Sequence, residues 1–129
     1  MCFPDNDIDR GTIRHYAVKN LRARVLDALE RHAESVGAVS RDDLAGMEEF
    51  HFGGREATRA LATASELASG CSVLDVGCGI GGPIRTLAAE FGCHATGLDL
   101  TEGFCSVARL LNERVGLCDS IDLVCGSAT

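Results

Sequence analysis

The run Gly77-Cys78-Gly79-Ile80-Gly81-Gly82 is the segment of this chain best suited to hold a ligand. Glycine tolerates positive φ, so the run suits a tight turn from a strand into a helix. It also lacks a Cβ, so a ligand can lie directly against the main chain. A helix beginning just beyond the turn presents N–H groups that have no intrahelical partner. Two carboxylates flank the run. Asp75 stands two residues before it, and Asp99 ends the next apolar segment. An acid about 20 residues after such a loop can accept hydrogen bonds from both hydroxyls of a ribose. The plain alternative for Asp99 is a helix N-cap or turn residue, and for Asp75 a buried acid accepting N–H bonds from the loop.

Two ligand classes share these requirements: a nicotinamide or flavin dinucleotide, and S-adenosylmethionine. Asp75 discriminates between them. A dinucleotide sets its pyrophosphate on the helix N-terminus, where a neighbouring carboxylate repels it. A sulfonium amino acid brings an ammonium group instead, which a carboxylate at the strand end attracts. The glycine pattern alone also admits an empty tight turn.

The elements around the loop follow from hydrophobic period. Residues 12–36 carry Ile13, Tyr16, Ala17, Leu21, Val25, Leu29 and Ala33 on one helical face, stopped by Gly37. Ser40 can cap a short helix with Asp43 as its capping-box partner. After Phe50-His51-Phe52-Gly53-Gly54, residues 55–68 show a stripe of Ala57, Ala60, Leu61, Ala64 and Leu67, ended by Ser69-Gly70. The period then shortens. Residues 72–76 read as a strand buried on both faces. Pro83 suits the first position of the next helix, which presents Ile84, Leu87, Ala88 and Phe91. Residues 94–100 form a second strand. Thr101 can cap a helix with Phe104, Val107, Ala108, Leu111 and Val115 inward, and residues 121–125 read as a third strand.

Strands alternating with helices predict right-handed crossovers and a parallel sheet. The expected fold is α/β, a Rossmann-like parallel sheet of three strands with an N-terminal helical extension. Residues 1–54 are the extension and a segment covering the ligand. Residues 55–129 are the first half of the ligand-binding domain.

Composition excludes other classes. Nineteen acidic against twelve basic residues leave a net charge of −7, which repels phosphate backbones and predicts no nucleic-acid partner. No apolar run approaches the ~18 residues of a membrane helix, so no membrane association is expected. Residues 1–10 have neither the basic start nor the apolar core of a signal peptide, which predicts a cytoplasmic protein. The seven cysteines are odd in number and form no C-x-x-C pair. They are expected to be small buried thiols in a reducing compartment. The four histidines are scattered, and no metal site is expected.

Residues 73–88, VLDVGCGIGGPIRTLA, resemble motif I of class I S-adenosylmethionine-dependent methyltransferases. Residues 97–100, GLDL, resemble the acidic strand end that follows it. Upstream, Glu49-Phe50-His51-Phe52-Gly53-Gly54 with Ala57-Thr58 resembles a segment of small-molecule methyltransferases related to the ubiquinone/menaquinone-biosynthesis and sarcosine/dimethylglycine groups. Residues 115–117 and 121–128 resemble the third strand and the start of an adenine-contacting loop. The resemblance covers residues 40–129.

The resemblance implies strands 1 to 3 of a larger sheet, with the chain truncated before its acceptor-binding half. It implies S-adenosyl-L-methionine as cofactor, held by the loop of Gly77, Cys78, Gly79 and Gly81. Asp75 would stand near the ammonium group, Asp99 would hold the ribose, Leu100 would pack on the adenine, and Ser127 and Ala128 would meet the adenine edge. Ser127 stands where Asp is usual, and a hydroxyl is the weaker acceptor. His51 and Gly54 would lie in a segment over the cofactor, with His51 the one candidate base. The plain alternative for His51 is a packed or surface histidine. Tyr16 is expected in the core rather than in the site. The implied reaction is in-line methyl transfer to a small-molecule acceptor, in which the protein supplies orientation and shielding. The chain by itself is expected to be inactive, and the open edge of strand 1 to favour self-association. The other readings are a dinucleotide-dependent oxidoreductase fragment, and a scaffold with a relict pocket.

Overall fold

The computed structural model describes residues 7–36, 38–48 and 51–129. Among them, four helices precede the sheet: α1 (Asp7–Tyr16), α2 (Leu21–Val36), α3 (Arg41–Glu48) and α4 (Gly54–Ala64). The pattern β1 (Ser72–Val76), α5 (Gly82–Phe91), β2 (His94–Asp99), α6 (Glu102–Arg114), β3 (Ile121–Cys125) follows.

The single helix expected over residues 12–36 is two. Asn20 interrupts it with φ 58, a left-handed conformation that asparagine tolerates better than most residues. The apolar stripe therefore splits. Val25 and Leu29 pack with Leu44 of α3 and Val107, Leu110 and Leu111 of α6. Tyr16 does not join that core and is 53% exposed. Gly37, Glu49 and Phe50 lie outside the described residues. The capping box forms as expected. The Ser40 N–H donates to Asp43 Oδ2 at 2.8 Å, and the Asp43 N–H donates back to Ser40 Oγ at 3.3 Å.

Helix α4 ends four residues early, where Glu66 takes φ 52. Its buried face is also not the expected one. Thr58 and Ala62 are buried, whereas Leu61 is 70% exposed. Ala57 and Leu61 instead line a cleft.

The three strands are parallel in the order β1-β2-β3, with Asp75 beside Gly97 and Gly97 beside Leu123. Two right-handed crossovers advancing the same way put α5 and α6 on one face. That face is packed with Cys78, Ile84, Ala88, Ala95 and Ile121. The opposite face is not, and Leu74 and Val76 are 62% and 57% exposed. Strand β1 is thus covered on one side only. Its short apolar run looked like a doubly buried strand because periodicity cannot report whether a second layer is present.

Five cysteines are free thiols: Cys78, Cys93 and Cys105 are buried as expected, whereas Cys71 is half-buried and Cys118 is exposed. Cys125 departs from that expectation and is disulfide-bonded. Among the described residues no helix is long and apolar enough to cross a membrane.

An ion-pair cluster ties the extension to the sheet domain. Glu90 of α5 accepts from Arg59 Nε of α4 at 2.6 Å and from Arg41 Nη2 of α3 at 3.0 Å. The Arg59 bonds, outweighing burial and helped by Arg41, hold the Glu90 carboxyl down to about 2 from its ordinary 4.5. Unfolding takes up a proton between those values. The stabilisation is therefore complete above about pH 4.5 and fades as pH falls toward about 2. Glu90→Gln is expected to flatten the acid limb of melting temperature against pH in that window. A limb as steep as wild type would show that other carboxylates govern it.

Candidate functional site

The glycine run forms the turn between β1 and α5. Gly77, Gly79 and Gly81 take φ of 82, 56 and 84, the left-handed region that disfavours any residue with a Cβ. The turn is pinned to the end of β2. The Gly77 and Cys78 N–H groups both donate to the Leu98 carbonyl, at 2.7 and 3.1 Å. The Gly79 N–H donates to Asp99 Oδ2 at 2.9 Å. A Cβ on Gly77 would meet no heavy atom within 4 Å, so the main chain there faces open space.

That space belongs to a cavity of about 1530 Å³. Its walls include His51, Asp75, Gly77, Cys78, Gly79, Asp99, Leu100, Ser127 and Ala128. Nine of the eleven positions singled out from sequence thus converge, from the segment before α4, the β1 end, the loop, the β2 end and the residues after β3; Gly54, at the start of α4, is not in the wall of the cavity. Gly81 does not line it. A Cβ there would stand 3.0 Å from Arg85 Nη1, 3.4 Å from Ile84 Cδ1 and 3.5 Å from Ala108 Cβ. Gly81 faces the protein interior, and its role is to turn the chain.

The two carboxylates differ. Asp99 is buried, and each of its oxygens already accepts one main-chain N–H, Oδ2 from Gly79 and Oδ1 from Thr101 at 2.8 Å. A carboxylate has about four lone-pair sites, so each oxygen retains acceptor capacity toward the cavity. Asp75 is partly buried, and burial pushes its carboxyl above the usual range. The Asp99 charge adds to the rise and His51 opposes it. A cation placed beside Asp75 would offset that cost.

Three candidates contribute differently than their residue types suggest. The Cys78 side chain packs in the core beneath the sheet, and its thiol is pushed up to about 12, first by burial, then by Asp99 and Asp75. Its share of the site is therefore main chain. The His51 Nε2 lies 2.8 Å from the Gly54 carbonyl, which can only accept, so Nε2 carries a proton. Ser127 Oγ lies 3.0 Å from Thr129 Oγ1 and accepts the Thr129 N–H at 3.3 Å. The cavity also gathers Leu61 and Tyr16, the latter expected in the core, and Phe104, which packs against the core as expected and lines the cavity as well. Among the described residues, no group of three or more His, Cys, Asp or Glu could hold a metal ion.

Residues 73–129 match the protein family described as methyltransferase domain. This stretch is a methyltransferase domain. The chain that carries it is 39% identical over 77 residues to 24-methylenesterol C-methyltransferase 2 of Oryza sativa subsp. japonica, covering 57% of this chain and 21% of the relative. It is 33% identical over 96 residues to phosphoethanolamine N-methyltransferase 1 of Arabidopsis thaliana, covering 74% of this chain and 19% of the relative. Among solved structures, Haemonchus contortus phosphoethanolamine N-methyltransferase 2 in complex with S-adenosyl-L-methionine superposes with a TM-score of 0.56 at 28% identity, covering 84% of this chain and 25% of that one. The chain spans about a fifth of the length of the two curated relatives. The methyltransferase domain includes the glycine loop, Asp75 and Asp99, while His51 precedes it.

Proposed function

We propose that the cleft of the methyltransferase domain binds S-adenosyl-L-methionine, and that the whole protein transfers its methyl group to a small-molecule acceptor. The observation that carries this reading is the placement of bare Gly77 main chain between Asp75 and Asp99 on one cavity wall. When bound, the cofactor supplies an electrophilic methyl on a sulfonium.

The chain's own residues would do the rest. Gly77 and Gly79 leave room for the methionine part at the loop. Asp75 offsets its own desolvation by pairing with the ammonium group. Asp99 uses the remaining lone pairs of both oxygens on the ribose hydroxyls, while its bonds to Gly79 and Thr101 fix the carboxylate. Leu100, Ser127 and Ala128 form the adenine end. His51 is the proposed base through Nδ1, with its Nε2–H held by the Gly54 carbonyl. The relatives named above act on a sterol carbon and on the nitrogen of phosphoethanolamine. Both are small molecules, which supports the acceptor class without selecting the atom. The same reading takes residues 1–54 as the covering extension, the enzyme as cytoplasmic, and the β1 edge as a contact for a second copy.

Calorimetry with S-adenosylhomocysteine and with NADH tests the reading. Heat with the first and none with the second is expected. NADH binding without S-adenosylhomocysteine binding would select the oxidoreductase alternative, which places a pyrophosphate beside Asp75.

A further inference from the structure

The glycine loop is held from behind by a pair of charges that the proposed chemistry does not use. Arg85, one turn into α5, and the side chain of Glu48, at the end of α3, have no exposed surface. Arg85 donates from Nε and Nη2 to Glu48 Oε2, both at 2.8 Å, and from Nη1 to Asn112 Oδ1 of α6 at 2.9 Å. Its Nη2 also donates to the carbonyl of Ile80 at 2.5 Å, inside the loop. Glu48 Oε1 takes a further bond from Arg55 Nη2 of α4 at 3.2 Å. One planar guanidinium thus joins two other helices to one loop carbonyl, a geometry that only arginine's fixed fork supplies.

The main chain repeats the contact. A Cβ on Gly82 would stand 2.5 Å from the Glu48 carbonyl oxygen. Gly82 is not among the glycines with positive φ, so turn geometry does not require it. The last glycine of the motif is there because α3 docks against the start of α5.

Stability alone does not account for this pair. Apolar side chains of similar volume often serve as well as a buried ion pair, or better. What they cannot do is direct an N–H at Ile80. The loop is then fixed from two sides, at Gly79 by Asp99 and at Ile80 by Arg85.

We propose that Glu48 and Arg85 are positioning residues, through which docking of α3 sets the shape of the glycine loop and hence its affinity for the ligand. The ligand part rests on the S-adenosylmethionine reading; the loop part does not. Glu48 lies before the matched residues 73–129, so the proposal makes the extension a component of the cofactor site.

The test measures amide hydrogen exchange at residues 79–82 without ligand, and calorimetry with S-adenosylhomocysteine, on the whole 129-residue chain. The variants are Glu48→Gln, Arg85→Lys, Gly82→Ala and the double E48M/R85M. Each is expected to exchange at least about tenfold faster in the loop and to bind at least about tenfold more weakly, about 1.4 kcal/mol. The double variant fills the same space without charge, and comparing its exchange in the loop with its exchange in the three strands separates positioning from loss of fold. Wild-type exchange and affinity in the double variant would overturn the proposal. Gly82→Ala keeps every charge and carries the same test if the charge variants do not fold. Faster loop exchange in the variants supports the loop part even if the wild type binds no S-adenosylhomocysteine, a result that would sink the cofactor reading. Unchanged loop exchange overturns the proposal whatever binds.

Discussion

Asp99→Ala is expected to lower affinity for S-adenosylhomocysteine at least about a hundredfold and to lower the melting temperature as well. Two effects add. Hydrogen bonds to a charged acceptor contribute about 1.5–3 kcal/mol each. Two ribose hydroxyls would therefore account for roughly 3–6 kcal/mol, or a factor of about 10² to 10⁴. Independently, the N–H groups of Gly79 and Thr101 lose their acceptor, at about 1–3 kcal/mol for each donor left buried and unsatisfied. Asp99→Asn preserves the shape but turns one accepting oxygen into a donor, so one of those two amides meets an NH₂ group. It is expected to lose both affinity and stability, by less. Calorimetry and a thermal melt on each variant separate the two roles. A lower melting temperature with unchanged affinity would confine Asp99 to closing the turn.

Gly97→Val is expected to be the most disruptive single change in the sheet. Gly97 sits mid-β2, between Asp75 and Leu123. A Cβ there would stand 2.8 Å from both Cys78 Sγ and Ile84 Cδ1, and 3.0 Å from Leu123 Cδ2. Strand propensity favours the substitution by up to ~1 kcal/mol. Overpacking opposes it at about 1–3 kcal/mol for one added group. Here overpacking wins, because the three neighbours come from the loop, α5 and β3 and cannot all retreat together. Gly97→Ala should already lower the urea midpoint with an unchanged slope, and valine should lower it further. Displacing Cys78 also moves the glycine loop, so ligand affinity should fall with stability. A higher midpoint for the alanine variant would show that the layer has slack.

The parts of the chain legible in the sequence are those whose signals are local. Ser40 and Asp43 announce a capping box within four residues, and the glycine run announces a strand-to-helix turn. The β-α-β-α-β order follows from the change of period near Ser72. What was illegible depends on partners distant in sequence. An apolar face at Leu61 or Leu74 reads the same whether it meets a core or an open cleft. Tyr16 fell outside the core because Asn20 redirected the chain, and asparagine in the left-handed region leaves no periodic trace. The site was legible in its members but not in their division of labour. Gly77 and Gly79 face the cavity, whereas Gly81 and Gly82 serve turning and helix docking, a distinction visible only once Arg85 and Glu48 are in place. Those two charges sit 37 residues apart, and no spacing rule pairs them.

Burial sorts the thiols by reactivity. Cys78 and Cys105, raised to about 12 and about 11 chiefly by burial, hold only about one part in 10⁴ to 10⁵ as thiolate at neutral pH, and the thiolate is the reacting species. Cys118 is the exposed one of the five and borders a shallow recess with Arg109 and Asp122, away from the main cavity. A maleimide dye should therefore attach there ahead of the three buried thiols and the half-buried Cys71, giving a fluorescent reporter that leaves the cleft untouched.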